Sequence, residues 1–198
     1  MITVLMATYQ GRQYLEQQLD TILAQTVPVK ILISDDGSDD GTREMLDNYA
    51  GWYPEQVVLH HRTEHTGGAA ENFFWLMQEA LKDEKNEYIL FSDQDDVWEN
   101  DKVSVMLHRM KVLEKGLGSA CPILLYSDME VVDEELYEIS PSFASYTHQD
   151  PDRSSFAELL VENQVTGGAS MINRALLMRC AKAPEVCCMH DWWIALTA

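Results

Sequence analysis

A chain of 198 residues, 46% of them apolar, is long enough to bury one sizeable core and too apolar to stay disordered. Thirty-three acids against 14 lysines and arginines give a formal net charge of −19, which argues against a nucleic-acid backbone as partner and against a broad electrostatic grip on an anionic membrane. The N-terminus has no basic leader region, no apolar run approaches the ~20 residues of a membrane-spanning helix, and four cysteines without a C-x-x-C pair read as reduced thiols of a cytosolic protein.

Residues 2–7 read as a first buried strand, followed by the polar turn Ala7-Thr8-Tyr9-Gln10-Gly11. Tyr14, Leu15, Leu19, Ile22 and Leu23 then recur at helical spacing, and Pro28 closes the connection. Val29 to Ser34 is a second strand, ending in Asp35-Asp36-Gly37-Ser38-Asp39-Asp40-Gly41-Thr42. A helix carries Met45, Leu46 and Tyr49 and is broken by Gly51 and Pro54; Val57-Val58-Leu59 is a third strand. His65-Thr66-Gly67-Gly68 leads into a long helix with Phe73, Phe74, Leu76, Met77 and Leu81 on its apolar side. Next come a strand over 88–92, a helix from about Asp101 to Glu114, and a strand over Ile123–Ser127 that ends in Asp128. The polar 133–155 region reads as a loop or lid, with a helix near 156–162 after it. Adjacent Cys187 and Cys188 read as ordinary small buried residues. Strands alternating with helices predict an α/β domain, a mostly parallel sheet covered on both faces, over the single unit 1–198. The uncapped start of a helix over Trp192–Ala198 reads as the edge of a longer polypeptide.

The chemistry concentrates at strand ends, where open α/β sheets bind ligands. Ser92-Asp93-Gln94-Asp95-Asp96 puts three acids within four residues, and no basic residue follows until Lys102. By itself such a run reads as a solvated acidic turn; after a buried strand, and with a second acidic strand end earlier in the chain, a divalent cation relieves the repulsion, Mg2+ or Mn2+ taking one or two carboxylates plus a substrate's phosphates. At the earlier strand end, Asp35 and Asp36 can accept hydrogen bonds from a base or ribose, with Gly37 and Gly41 permitting tight turns. The bland alternative there is an Asx turn capping the next helix, and Asp39, Asp40 and Thr42 read as that alone. Together the two ends describe a nucleotide-diphosphate site. There is neither a G-x-x-x-x-G-K-[ST] loop nor a G-x-G-x-x-G turn, and the histidines form no metal-ligand spacing. Trp98, Trp192 and Trp193 suit a sugar ring, with packing as the default.

These segments, in this order, resemble the family-2 inverting glycosyltransferases of GT-A fold over nearly the whole chain. Thr8-Tyr9-Gln10-Gly11 is similar to the opening nucleotide loop, with Gln10 where Asn is usual. Asp35-Asp36-Gly37-Ser38 resembles the base- and ribose-binding loop, and Asp93-Gln94-Asp95 the D-x-D motif. The string through Trp98, Asp101 and Lys102 resembles the rhamnosyltransferase-like branch. Thr66-x-Gly68 stands where Asn-x-Gly is frequent. Thr166-Gly167-Gly168 with Asn173-Arg174 resembles the strand lining the acceptor side, and His190-Asp191-Trp192-Trp193 the segment carrying the catalytic base.

The resemblance implies transfer of a sugar from a nucleotide-diphosphate donor, TDP-rhamnose or a UDP-sugar, to a saccharide or lipid-linked acceptor in surface polysaccharide synthesis. Thr8, Tyr9, Asp35, Asp36, Gly68 and Asp93 are then nucleotide-binding, Asp95 holds Mg2+ or Mn2+, and Asp191 is the base. Thr166, Gly167, His190 and Trp192 face the acceptor. On spacing alone Asp191 is a helix cap; His190 tunes Asp191 or contacts the diphosphate, with a surface histidine as the alternative. A peripheral contact at the inner face of the membrane would belong to a further C-terminal part. Two alternatives stand beside this: a nucleotidyltransferase, for which Thr8-Tyr9-Gln10-Gly11-Arg12 is too short and too poor in cations, and a non-catalytic nucleotide-sugar-binding module.

Overall fold

The computed structural model describes residues 1–62, 67–150 and 152–198. The chain runs β1 (Ile2–Thr8), α1 (Leu15–Leu23), β2 (Lys30–Asp35), α2 (Thr42–Trp52), β3 (Val57–His61), α3 (Ala69–Leu81), β4 (Tyr88–Ser92) and α4 (Lys102–Leu117). It continues with β5 (Leu124–Tyr126), β6 (Val131–Val132), β7 (Glu138–Ser140), α5 (Phe143–Tyr146), α6 (Phe156–Leu159), a 3-10 turn (Gly167–Ala169), β8 (Ser170–Asn173), α7 (Arg174–Cys180) and α8 (His190–Thr197). The main sheet has the order β3-β2-β1-β4-β8-β5; β8 runs antiparallel to both its neighbours, while β1 pairs parallel with β2 and β4. The expected mostly parallel α/β sheet is what forms.

Strict alternation along the strands sends side chains into two separate cores. Val4, Met6, Ile31, Ile33 and Leu90 pack with α1, α2 and α4, and Leu5, Leu32, Ile89, Phe91 and Ile172 pack with α3, α7 and α8. Because both faces are covered, the strands read as continuous apolar runs. The register aligns Thr8 with Asp35 and Met6 with Ser92, so β1, β2 and β4 end on one edge. The strand order reverses between β1 and β4, and that is the switch point at which such sheets open a crevice.

Several expectations need correction. The 133–155 region is not a plain loop: it joins the β6–β7 hairpin to the one-turn helix α5, whose Ser142 accepts from Ser145 N. These strands, two and three residues long, are too short to show a period of two. The helix near 156–162 is only α6, closed by a Ser155–Glu158 capping box. Gly51 does not break α2, which ends at Trp52. Cys187 and Cys188 are not buried, whereas Cys180 is. Asn173 and Arg174 serve the fold. Asn173 caps α7 and fastens β5 through Ile123 N and Cys121 O, and the Arg174 guanidinium donates to the carbonyls of Leu81, Asp83 and Asn86. Among the described residues no helix is long and apolar enough to cross a membrane.

Candidate active site

The edge where β1, β2 and β4 end carries three loops tied together by side chains. The loop after β2 is organised by Asp35, which is fully buried. Its carboxylate accepts from Ser38 Oγ (2.5 Å), Thr8 Oγ1 (3.3 Å), the amides of Gly37 and Ser38 (3.2 Å each) and Arg43 Nε (2.8 Å). Burial pushes this carboxyl up, but the bonds from Ser38, Arg43 and Gly37 outweigh it and hold the group below the usual carboxylate range. Asp35 is therefore the post around which the loop turns. Asp36 is also buried, and its amide donates to Thr8 O. Asp40 accepts from Thr42 N and Oγ1, the Asx turn expected of it, and also from Arg12 N.

The loop after β1 is zipped to that turn. Gln10 N donates to Ser38 Oγ, Gln10 and Asp39 exchange two hydrogen bonds, and Gly11 N donates to Thr42 Oγ1. On its other side, Gln94 grips the Tyr9 peptide in both directions: Tyr9 N donates to Oε1 at 2.9 Å and Nε2 donates to Tyr9 O at 3.0 Å. The Gln94 amide lies so close over Gly11 that a Cβ there would sit 2.4 Å from Oε1. Gln94, read in the sequence only as the spacer of Asp93-Gln94-Asp95, is what joins the loop after β1 to the acid loop across the switch point. Gly68 stands just before α3 and accepts from Asn72 N. Thr66 and His65 lie outside the described residues.

The acid loop itself is crowded. Burial, then Asp96, Asp95 and Asp191, push the Asp93 carboxyl up to about 7, and only Lys102 opposes them. Burial also raises Asp96, with Lys102 opposing. Asp95 is exposed. Lys102 lies over the Trp98 ring at 4.0 Å and donates to Gly168 O at 2.8 Å; burial pulls its ammonium down to about 8. It is the loop's internal counter-charge, sixteen-residue α4 delivering it from its first position. Gln18, buried in α1, bonds Ser92 Oγ at 2.6 Å and steadies the strand end.

The chain turns back onto this loop at Gly167–Gly168. A Cβ on Gly168 would stand 2.8 Å from Asp96 Oδ2 and 2.9 Å from Asp93 Oδ2; one on Gly167 would stand 2.9 Å from His190 Nε2 and 3.5 Å from Asp191 Cβ. Adjacent glycines thus bring the acid loop and the start of α8 against the same stretch of backbone. Asp191 is not the helix cap, which is Met189. Its carboxylate accepts from Trp192 N (2.7 Å) and Gly167 N (3.1 Å), yet burial still raises its pKa. His190 is not a surface residue. It is 2% exposed, stacks on Phe73 at 4.0 Å, finds no partner for either ring nitrogen among the described residues, and is driven down to about 3 by burial, so it is neutral. It backs Gly167 from behind. Trp98 is buried in one core and Trp193, half-buried, packs against the other with Nε1 donating to Cys180 O, while Trp192 is half-buried with Nε1 donating to Leu159 O. Thr166 is half-buried beside them.

The donor chemistry fits a hard cation. Asp93 and Asp96 point carboxylate oxygens at one place, and Asp93 carries repulsion from three other acids that Lys102 offsets only in part. Among the described residues no three His, Cys, Asp or Glu side chains close a shell by themselves. An ion here needs oxygens from a ligand, which is how Mg2+ and Mn2+ sit on phosphates.

A pH prediction follows for the free chain. The unfolded chain releases the Asp93 proton near 3.9 and the folded chain keeps it to about 7. The folded state therefore binds the extra proton between those values, and its stability falls as pH rises through that window. In Asp93→Asn, unfolding midpoints in urea measured from pH 4 to 8 are expected to lose most of this slope; an unchanged slope would refute the assignment.

The model of the family described as Glycosyl transferase family 2 matches residues 3–180. The chain is 27% identical over 197 residues to the dTDP-rhamnosyl transferase RfbG of Shigella flexneri, covering 96% of this chain and 63% of that protein. It is 31% identical over 177 residues to the putative teichuronic acid biosynthesis glycosyltransferase TuaG of Bacillus subtilis, covering 87% and 66%. The chain thus spans about two-thirds of these curated relatives. Its fold is similar to S. aureus TarS residues 1–349 in complex with UDP (TM-score 0.65, 17% identity, 98% of this chain and 53% of that one). It is also similar to the mannosyltransferase PcManGT of Pyrobaculum calidifontis in complex with GDP-Man and Mn2+ (TM-score 0.59, 20% identity, 96% and 49%).

Proposed function

Since this chain belongs to glycosyl transferase family 2, we propose that it moves a sugar from a nucleotide-diphosphate donor, TDP-rhamnose or a UDP-sugar, to a saccharide or lipid-linked acceptor in cell-surface polysaccharide synthesis. The observation that carries this reading is the meeting of the Asp93–Asp96 loop and Asp191 on the two adjacent glycines. The likeness to a dTDP-rhamnosyl transferase and to a teichuronic acid glycosyltransferase supports the substrate class. The proposed setting is the cytoplasmic face of the membrane, with lipid-linked acceptors met peripherally.

In this reading the loops after β1 and β2 hold the nucleoside. Thr8, Tyr9 and Gly68 shape the pocket, Asp35 fixes the loop, and Asp36 and Asp93 face the base and ribose. Asp95, on the same loop as the converging Asp93 and Asp96, would hold Mg2+ or Mn2+, which would supply neutralising charge for the leaving diphosphate. Asp191 accepts the acceptor hydroxyl's proton as the new bond to the anomeric carbon forms and the bond to the diphosphate oxygen breaks. Burial suits Asp191 to this, since it makes the carboxylate a stronger base. Gly167 N orients it, and the close turn at Gly167–Gly168 keeps donor and acceptor in line.

Thermal shift tests the donor site. With UDP, TDP, GDP, CDP and ATP, each with and without Mg2+ or Mn2+, a metal-dependent rise is expected with UDP or TDP and is expected to vanish in Asp95→Ala. At a hundredfold excess over Kd the gain is about 2.7 kcal/mol, or roughly 5–10 °C for a domain of this size. A rise with ATP alone would point instead to nucleotidyl transfer.

A further inference from the structure

Beside the proposed base lies a cleft of about 310 Å3, between the end of β5, α5 and the segment leading to the glycines. Thr166 forms part of its wall, and the next residue, Gly167, donates its amide to Asp191. Asn163 connects the two places from the other side: its carbonyl accepts from Gln149 in the cleft wall, and its side chain hydrogen-bonds Asp191. The cleft is therefore built onto the base rather than onto the nucleotide loops. Its volume falls at the small end of the range for small-molecule sites, about 300–1,000 Å3, which suits a single sugar unit.

The lining decides the charge of that unit. Tyr126 and Phe143 offer aromatic surface for the apolar face of a ring, and Ser127, Gln149 and Thr166 offer neutral polar groups. Among the described residues no lysine or arginine lines it. Its one charge is Asp128, whose carboxylate accepts from Met129 N and Ala144 N. Although burial opposes this, hydrogen bonds from Ser142, Ala144 and Met129 hold it below the usual range, so it stays ionised at neutral pH. The neighbouring Arg153 is engaged by Glu158 and Glu162. An anionic occupant would meet Asp128 uncompensated, within a chain of net charge −19.

We propose that this cleft is the acceptor subsite and that it takes an uncharged sugar residue, discriminating against uronic acids and phosphate-bearing acceptors. The assignment rests on the transferase reading for its meaning, but the cleft's preference is measurable without the donor. Saturation-transfer NMR on the full chain, with neutral methyl hexosides and 6-deoxyhexosides, methyl glucuronide and glycerol 3-phosphate as probes, is expected to give signal from at least one neutral glycoside and none from the two anions. Ala144→Trp fills the cleft while keeping its backbone bond to Asp128, and is expected to abolish the neutral signal at unchanged Tm. Should that variant misfold, Gln149→Arg places a cation in the wall and is expected to admit the glucuronide, a gain that damage does not produce. Silence from every neutral glycoside, preference for either anion in the unaltered chain, or an undiminished signal in a folded Ala144→Trp would each overturn the proposal. The nucleotide shift separates this from failure of the donor reading, because neither substitution touches the loops after β1, β2 or β4.

Discussion

Asp191→Asn is expected to lower sugar transfer by about 10²- to 10⁴-fold, the usual contribution of a positioned general base, while nucleotide binding stays as it was. Asparagine is isosteric but keeps one oxygen, so of the bonds from Trp192 N to Oδ1 and from Gly167 N to Oδ2 only one survives, while the shape at the start of α8 is kept. What it loses is the capacity to take a proton. The distinguishing readout is the pair of measurements: transfer rate with saturating donor and acceptor, and the thermal shift given by nucleoside diphosphate with Mn2+. Retained transfer would remove Asp191 from the chemistry. Loss of both signals would mean that the residue builds the site rather than working in it.

The second large effect is expected at the adjacent glycines. Neither has the left-handed backbone that favours glycine, since the positive-φ glycines are Gly37, Gly41, Gly67 and Gly118. Their requirement is space. In Gly167→Ala the new methyl would lie 2.9 Å from Nε2 of a His190 ring that is packed on Phe73 and Phe91 and has nowhere to withdraw. A destabilisation of about 1–3 kcal/mol is expected, the usual range for overpacking. In Gly168→Ala the methyl meets carboxylate oxygens of Asp93 and Asp96 instead. These are side-chain ends that swing aside, so the fold is expected to survive while the metal-dependent nucleotide shift falls at least tenfold in apparent affinity. Gly116→Ala in α4, where an added methyl meets nothing within 4 Å, serves as the control and is expected to be neutral or stabilising by about 1 kcal/mol. Urea denaturation and nucleotide titration of the three variants check the ordering. Equal behaviour of Gly168→Ala and Gly116→Ala would contradict the close approach on which the site depends.

Much of this was legible in the sequence because strands buried on both faces announce themselves as apolar runs, and acids after such a run fall at the sheet's binding edge. Asp35 and the Asp93–Asp96 loop were found that way, and Asp40's turn follows from local hydrogen-bonding habits. Pairings between distant residues left no local trace. Gln94 meets Tyr9 across 85 positions and Lys102 meets Gly168 across 66. Arg43 is only eight residues from Asp35, yet nothing in its helix periodicity says that it turns back toward the strand end. His190 was misleading for a different reason. A histidine beside a candidate base suggests solvent and proton chemistry, but the fold buries it under Gly167 and keeps it neutral. The β6–β7 hairpin was invisible because its strands are two and three residues long.

The most direct measurement is release of nucleoside diphosphate from TDP-rhamnose and a set of UDP-sugars, with Mn2+ present and with or without neutral saccharide acceptors. Acceptor-stimulated release of TDP or UDP, with one glycosylated product, is the predicted result. Tight nucleotide-sugar binding without release under any acceptor would contradict it and leave a binding module. Pyrophosphate release from a nucleoside triphosphate and sugar phosphate, with every nucleotide sugar untouched, would contradict it in favour of nucleotidyl transfer.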